Sequence, residues 1–180
     1  MFVRTTATGR RLFPWLITIA LTATLFGTLT HASADSYDPV ECLNDREAEF
    51  LELINDFRDD HDVRRLEAVE DLNQAAYDHS RDMARNGFFD HDNPDGDEPA
   101  DRMDSRGYNT RGYTGENIAA GYSSAKAVFD VWRDSPDHRS NMLDEDFRVI
   151  GIGRYHRDNS EYGTYWTTDF GSRSNTEPDC

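Results

Sequence analysis

Two imidazoles and one carboxylate stand beside sharp turns in this chain. His91 ends Phe88-Phe89-Asp90-His91, and Glu116 lies in Gly115-Glu116-Asn117-Ile118-Ala119. His138 lies in Ser135-Pro136-Asp137-His138-Arg139-Ser140-Asn141-Met142-Leu143. Such a trio suits a first-row divalent cation, most simply zinc, with one position open for water. The same groups can do general acid–base work, or form a hydrogen-bonded cluster that only holds loops together. Successive members lie 25 and 22 residues apart, so the fold must bring them together. Glu116 heads the apolar run Ile118-Ala119-Ala120, where a charge is costly unless it reaches a cleft or finds donors.

The elements that would position these residues follow from periodicity. Leu43, Phe50, Leu51, Ile54 and Phe57 repeat at helical spacing and predict a helix over 43–60. A second helix is expected over 71–86, capped by Asp71 with Gln74 three residues on. Its apolar face is Leu72, Ala75, Ala76, His79 and Met83, and Asn86-Gly87 closes it. His79 reads as a core residue. Residues 88–112 are rich in turn formers, with room for a short helix over 99–105. A third full helix is expected over 124–134, and Ser135-Pro136 looks like the cap and first position of another. Residues 149–155 and 162–170 read as strands of one antiparallel sheet. Helices followed by strands argue for an α+β fold or an αβα sandwich.

The chain opens with a basic start (Arg4, Arg10, Arg11), an uncharged run from Leu12 to Leu29, and Ala32-Ser33-Ala34. Residues 1–34 therefore read as a signal peptide, 35–42 as a linker, and 43–180 as one domain. Arg10-Arg11-Leu12-Phe13 also resembles a twin-arginine export signal. The expected location is extracellular, with no stable membrane span after cleavage. Loss of the three leader arginines, with no acid beside them, deepens the net charge from −16 to −19. Lys126 is the one lysine. A surface this acidic repels nucleic acid and anionic membrane. Cys42 and Cys180 stand at the two ends of the mature chain. Export permits a disulfide between them, which would contribute about 4–5 kcal/mol by the chain-entropy argument. A free or intermolecular Cys180 is the alternative.

Six segments, in order, resemble the bacterial branch of the CAP superfamily: cysteine-rich secretory proteins, antigen 5 and pathogenesis-related proteins. They are Leu72-xx-Ala75-xxx-His79-Ser80-xx-Met83-Ala84; Phe88-Phe89-x-His91 with Asn93-Pro94-Asp95-Gly96; Gly115 to Ala119; Trp132-xx-Ser135-Pro136-x-His138-Arg139-x-Asn141-x-Leu143; Phe147-xx-Ile150-Gly151-Ile152-Gly153; and Tyr165-Trp166-Thr167-x-x-Phe170-Gly171. The resemblance spans about Leu43 to Ser172. It implies an αβα sandwich whose open cleft is lined by two histidines and two acids. His91, Glu116 and His138 match three of these. Ser135 stands where eukaryotic members carry a second glutamate, which weakens any mechanism needing two carboxylates.

Three functions fit. The first is a non-catalytic module whose cleft binds a divalent cation at His91, Glu116 and His138, with a small ligand or extracellular component as partner. The second is a metal-assisted peptidase with Glu116 as general base, although His-Glu-x-x-His and a nucleophile elbow are both missing. The third is a lipid carrier, which the acidic surface disfavours on anionic membranes. Asn117 and Ser135 are candidates to orient an imidazole or a water, or else a turn bond and a helix cap. Tyr108, Tyr113 and Tyr122 could wall the cleft. Trp132 and Trp166 read as core, and Arg139 as the partner of an acid or a helix carbonyl.

Overall fold

The computed structural model describes residues 43–173. The expected signal segment, the linker and both cysteines lie outside the described residues. Nine elements follow in order: α1 (Asp45–Asp59), β1 (Glu67–Ala68), α2 (Glu70–Asn86), α3 (Pro99–Ser105), β2 (Thr114–Ala120), α4 (Ala125–Asp134), α5 (Pro136–Met142), β3 (Val149–His156) and β4 (Thr164–Gly171). The fold class is α+β, as the order of periodic segments implied.

Local chemistry explains the boundaries. Asn44 and Glu47 form a reciprocal capping box at the start of α1. Gly87 ends α2 in the left-handed region, at φ 71°. Ser124 caps α4 by accepting from the Ala127 amide. The expected Asp71 cap is corrected: α2 begins earlier, with Val69 at the cap position and Asp71 in the first turn, where its charge suits the helix dipole.

The sheet order is β1-β3-β4-β2. Three strands pair antiparallel, but β1 pairs parallel with β3 through Glu67 and Ala68. The expectation of a wholly antiparallel sheet is therefore corrected. Two residues are too few to show alternation, and the long connection from β1 to β3 permits the parallel direction.

Alternation along β3 and β4 sorts the two faces. Ile150, Ile152, Trp166 and Phe170 join a core with Phe50 and Ile54 of α1 and with Val128 and Trp132 of α4. The opposite face receives α2. A Cβ at Gly151 would overlap the backbone of Leu72, and one at Gly153 the backbone of Ala76 and Tyr77. The Ile-Gly-Ile-Gly run thus gives one strand an apolar face and a bare face on which α2 lies directly. Trp132, Trp166 and His79 are buried as expected.

Arg58, wholly buried, ties α1 to the end of α5. Its guanidinium donates to the carbonyls of Arg64 (2.6 Å), Met142 (2.7 Å) and Asp144 (3.1 Å). Burial lowers its pKa to about 10. The Met142 carbonyl belongs to the last turn of the helix that carries His138.

Candidate functional site

Glu116 lies on β2 opposite Asp169 of β4, on the face that meets α2. Its side chain is 2% exposed, so its charge needs partners. It has two. His91 donates from Nδ1 to Oε1 at 2.6 Å, and Arg102 of α3 donates to Oε2 at 2.6 Å. Burial alone would push the Glu116 carboxyl up. The His91 hydrogen bond and the neighbouring positive charges, Arg102 among them, outweigh it and hold the group below the usual carboxylate range.

His91 is raised above the ordinary imidazole value, chiefly by its bond to Glu116. His138 is lowered, first by burial and then by the charge of His91. His138 Nδ1 lies 2.8 Å from Ser135 Oγ. The serine makes no cap bond at the start of α5; its hydroxyl meets the imidazole instead, either accepting or donating. Asn117 donates to the His138 carbonyl (3.1 Å), and Asn141 donates to Asn117 Oδ1 (2.9 Å) and to the Glu116 carbonyl (3.2 Å). These amides tie β2 to α5, so the backbones of Glu116 and His138 are held together by side chains from both.

His79 positions the first histidine loop. Its Nε2 donates to the Asp90 carbonyl at 3.0 Å. Nδ1 is then a bare acceptor, buried and without a partner among the described residues. Burial lowers its pKa and keeps the ring neutral.

Two residues beside Glu116 escape sequence reasoning. Arg102 sits among many charged neighbours in a turn-rich stretch and carries no signal. Asp169 does carry one: an acid inside Thr167-Thr168-Asp169-Phe170, a strand buried along its whole length. Asp169 is 1% exposed. Its carboxyl meets that of Glu116, and two carboxylates offer each other only acceptors, so the contact becomes a hydrogen bond when one is protonated. Burial, then the charge of Glu116, push Asp169 well above the usual range and place the proton there. A second carboxyl thus stands at the site, on β4 instead of at position 135.

Tyr122 borders a cavity beside His138. Tyr108 is buried against α3 residue Met103, and Tyr113 is exposed away from that cavity. Arg139 is exposed and makes no ion pair among the described residues. No group of three or more His, Cys, Asp or Glu among the described residues is arranged to hold a metal ion. A larger, polar cavity of about 500 Å³, lined by Arg102 among others, lies between α2 and α3.

An α+β sandwich with two histidines and a buried glutamate beside its sheet defines a recognisable class of domain. The profile of the cysteine-rich secretory protein family, CAP, matches residues 51–170. The chain belongs to that family. It is 35% identical over 124 residues to the uncharacterized protein YkwD of Bacillus subtilis (strain 168), covering 69% of this chain and 46% of that protein. Among solved structures it is similar to an extracellular protein containing a SCP domain from Bacillus anthracis. That match has 30% identity and a TM-score of 0.64, and covers 71% of this chain and 40% of that one. An outer surface protein from Borrelia burgdorferi shares the fold at 22% identity and a TM-score of 0.63, covering 71% and 92%. The chain spans less than half the length of both Bacillus proteins. No described helix is long and apolar enough to cross a membrane.

Proposed function

We propose that this CAP domain is an exported, non-catalytic binding module whose cleft takes a divalent cation through the Nε2 atoms of His91 and His138. The observation that carries this reading is the Nδ1 bonding of the two rings. Glu116 accepts from His91 Nδ1, so in the neutral ring the proton sits on Nδ1 and Nε2 is bare. Ser135 can accept from His138 Nδ1 in the same way. A carboxylate or hydroxyl behind a histidine is the usual support of a metal ligand. In this reading Glu116 is the group that orients His91, and the ligand set His91, Glu116, His138 reduces to two imidazoles completed by water or a bound ligand. Two protein ligands give a labile site, one that exchanges its cation with the medium.

The state of Glu116 disfavours hydrolysis. A general base works best with a pKa near the working pH. Glu116 is held low and both its oxygens are already hydrogen-bonded. A lipid carrier finds little support either, since the apolar cavity beside His138 measures about 290 Å³, at the small end of ligand sites. The test is the metal content of protein purified without chelator, compared with His91→Ala and His138→Ala. Equal content in all three removes the reading. Cleavage of peptides that Glu116→Gln abolishes would replace it with the hydrolase.

A further inference from the structure

The surface beside His138 pairs exposed aromatic rings with uncompensated negative charge. A cavity of about 290 Å³ opens between Phe89, Ile118, Tyr122, Trp132, His138 and Tyr162. Phe89 and Tyr162 are each 44% exposed, and their ring centroids lie 6.0 Å apart. Two of the four exposed large apolar side chains among the described residues thus border one cavity. The Trp132 indole N–H is committed to the Ile118 carbonyl at 3.1 Å, so this ring offers the cavity only carbon. Keeping such rings in water forgoes the burial they could gain.

Exposed acids flank three of the lining residues, Phe89, His138 and Tyr162, along the chain. Asp90 follows Phe89, Asp92 follows His91, Asp137 precedes His138 and Glu161 precedes Tyr162, and all four are exposed. None of the four makes an ion pair among the described residues. The charges of Asp90 and Asp137 reach His91 and His138, favouring the protonated ring in each case. Arg133 is tied to Asp130 and Asp134, and exposed Arg139 makes no ion pair among the described residues.

We propose that this cavity is a docking subsite for one large apolar side chain of a cationic peptide, an aromatic or leucine-type residue with lysine or arginine beside it. The cavity volume suits one side chain. The rim charge selects its neighbours, because an acidic peptide with the same apolar residue would bring like charges together. The inference rests on the cleft being a binding site, and it names the class of ligand.

The experiment titrates isotope-labelled protein, in chelator, with the capped peptides Lys-Phe-Lys, Glu-Phe-Glu and Lys-Ser-Lys, and follows amide shifts. Lys-Phe-Lys is expected to move Ile118, Ala119, Ala120 and Tyr122, and to bind about tenfold or more tightly than either control. Tyr162→Ser should weaken it by about fivefold, and Ala120→Phe, which fills the cavity, should abolish the shifts. Equal binding of Glu-Phe-Glu, no binding of Lys-Phe-Lys, shifts that map elsewhere, or indifference to both variants would overturn the proposal. Chelator keeps this result separate from the cation reading. Loss of metal in His91→Ala with peptide binding intact supports both, and peptide binding without any metal binding overturns the cation reading alone.

Discussion

Replacing Arg102 with Met removes the one permanent cation that touches Glu116 among the described residues, while keeping most of the side chain's bulk. The Glu116 side chain is 2% exposed and that of Arg102 10%, so the pair is buried, and breaking such a pair from one side costs about 3–5 kcal/mol. Half-exposed His91 stays in place and can carry a proton, which argues for the lower end. The lost Arg102 bond to the Asp97 carbonyl, 2.9 Å, adds about 1 kcal/mol. The expected loss is therefore about 4 kcal/mol. With an m-value of about 2 kcal/mol/M, the urea midpoint falls by ~2 M. Glu116→Gln alone should also destabilise, since it strands the arginine. The double variant should cost less than the two single changes together, by about 2 kcal/mol or more. Additivity within about 0.5 kcal/mol would show that the two groups do not support each other, and would refute the account of how Glu116 is held.

Three further outcomes follow from the same structure. His79 has its folded pKa below the ordinary value of 6.5, so the unfolded chain binds a proton that the native protein refuses. Stability from this group is complete above pH 6.5 and is lost as pH falls below it. His79→Gln should flatten the acid limb of a stability–pH curve, and an unchanged limb would count against a neutral buried ring. Gly151→Ala forces a methyl into the Leu72 backbone and should cost about 3 kcal/mol or prevent folding, read by thermal melting; a cost under about 0.5 kcal/mol would mean that α2 does not rest on the bare strand. Asp169→Asn keeps a donor toward Glu116 and should change stability by less than about 1 kcal/mol, whereas Asp169→Leu should lower it by more and disturb the His91 resonance.

Much of this was legible in the chain because its signals are local. Helical spacing located α1, α2 and α4 to within two residues, and the glycine after Asn86 marked the end of α2. The alternation Ile150-Gly151-Ile152-Gly153 carried the two-faced strand. The trio His91, Glu116 and His138 was legible as residue types, and resemblance supplied the link between them. What escaped depends on contacts between distant segments. Arg102 reaches Glu116 only because α3 lies beside β2, and Asp169 faces Glu116 only through the β2–β4 register. Ser135 does occupy the cap position before Pro136, as its place in the chain implies, but its side chain makes no cap bond. Which donor or acceptor a hydroxyl meets is decided by neighbouring geometry, and here the imidazole of its own helix won.

The central claim is that His91 and His138 present bare Nε2 atoms to one cation while Glu116 and Ser135 hold their Nδ1 protons. Long-range nitrogen–proton spectra of the imidazoles, recorded during a zinc titration near neutral pH, test it directly. The account predicts that the Nε2 resonances of His91 and His138 shift together and saturate at one equivalent, with both Nδ1 protons retained. Zinc that leaves these two rings unmoved, or that displaces the Nδ1 proton of His91 from Glu116, would contradict it.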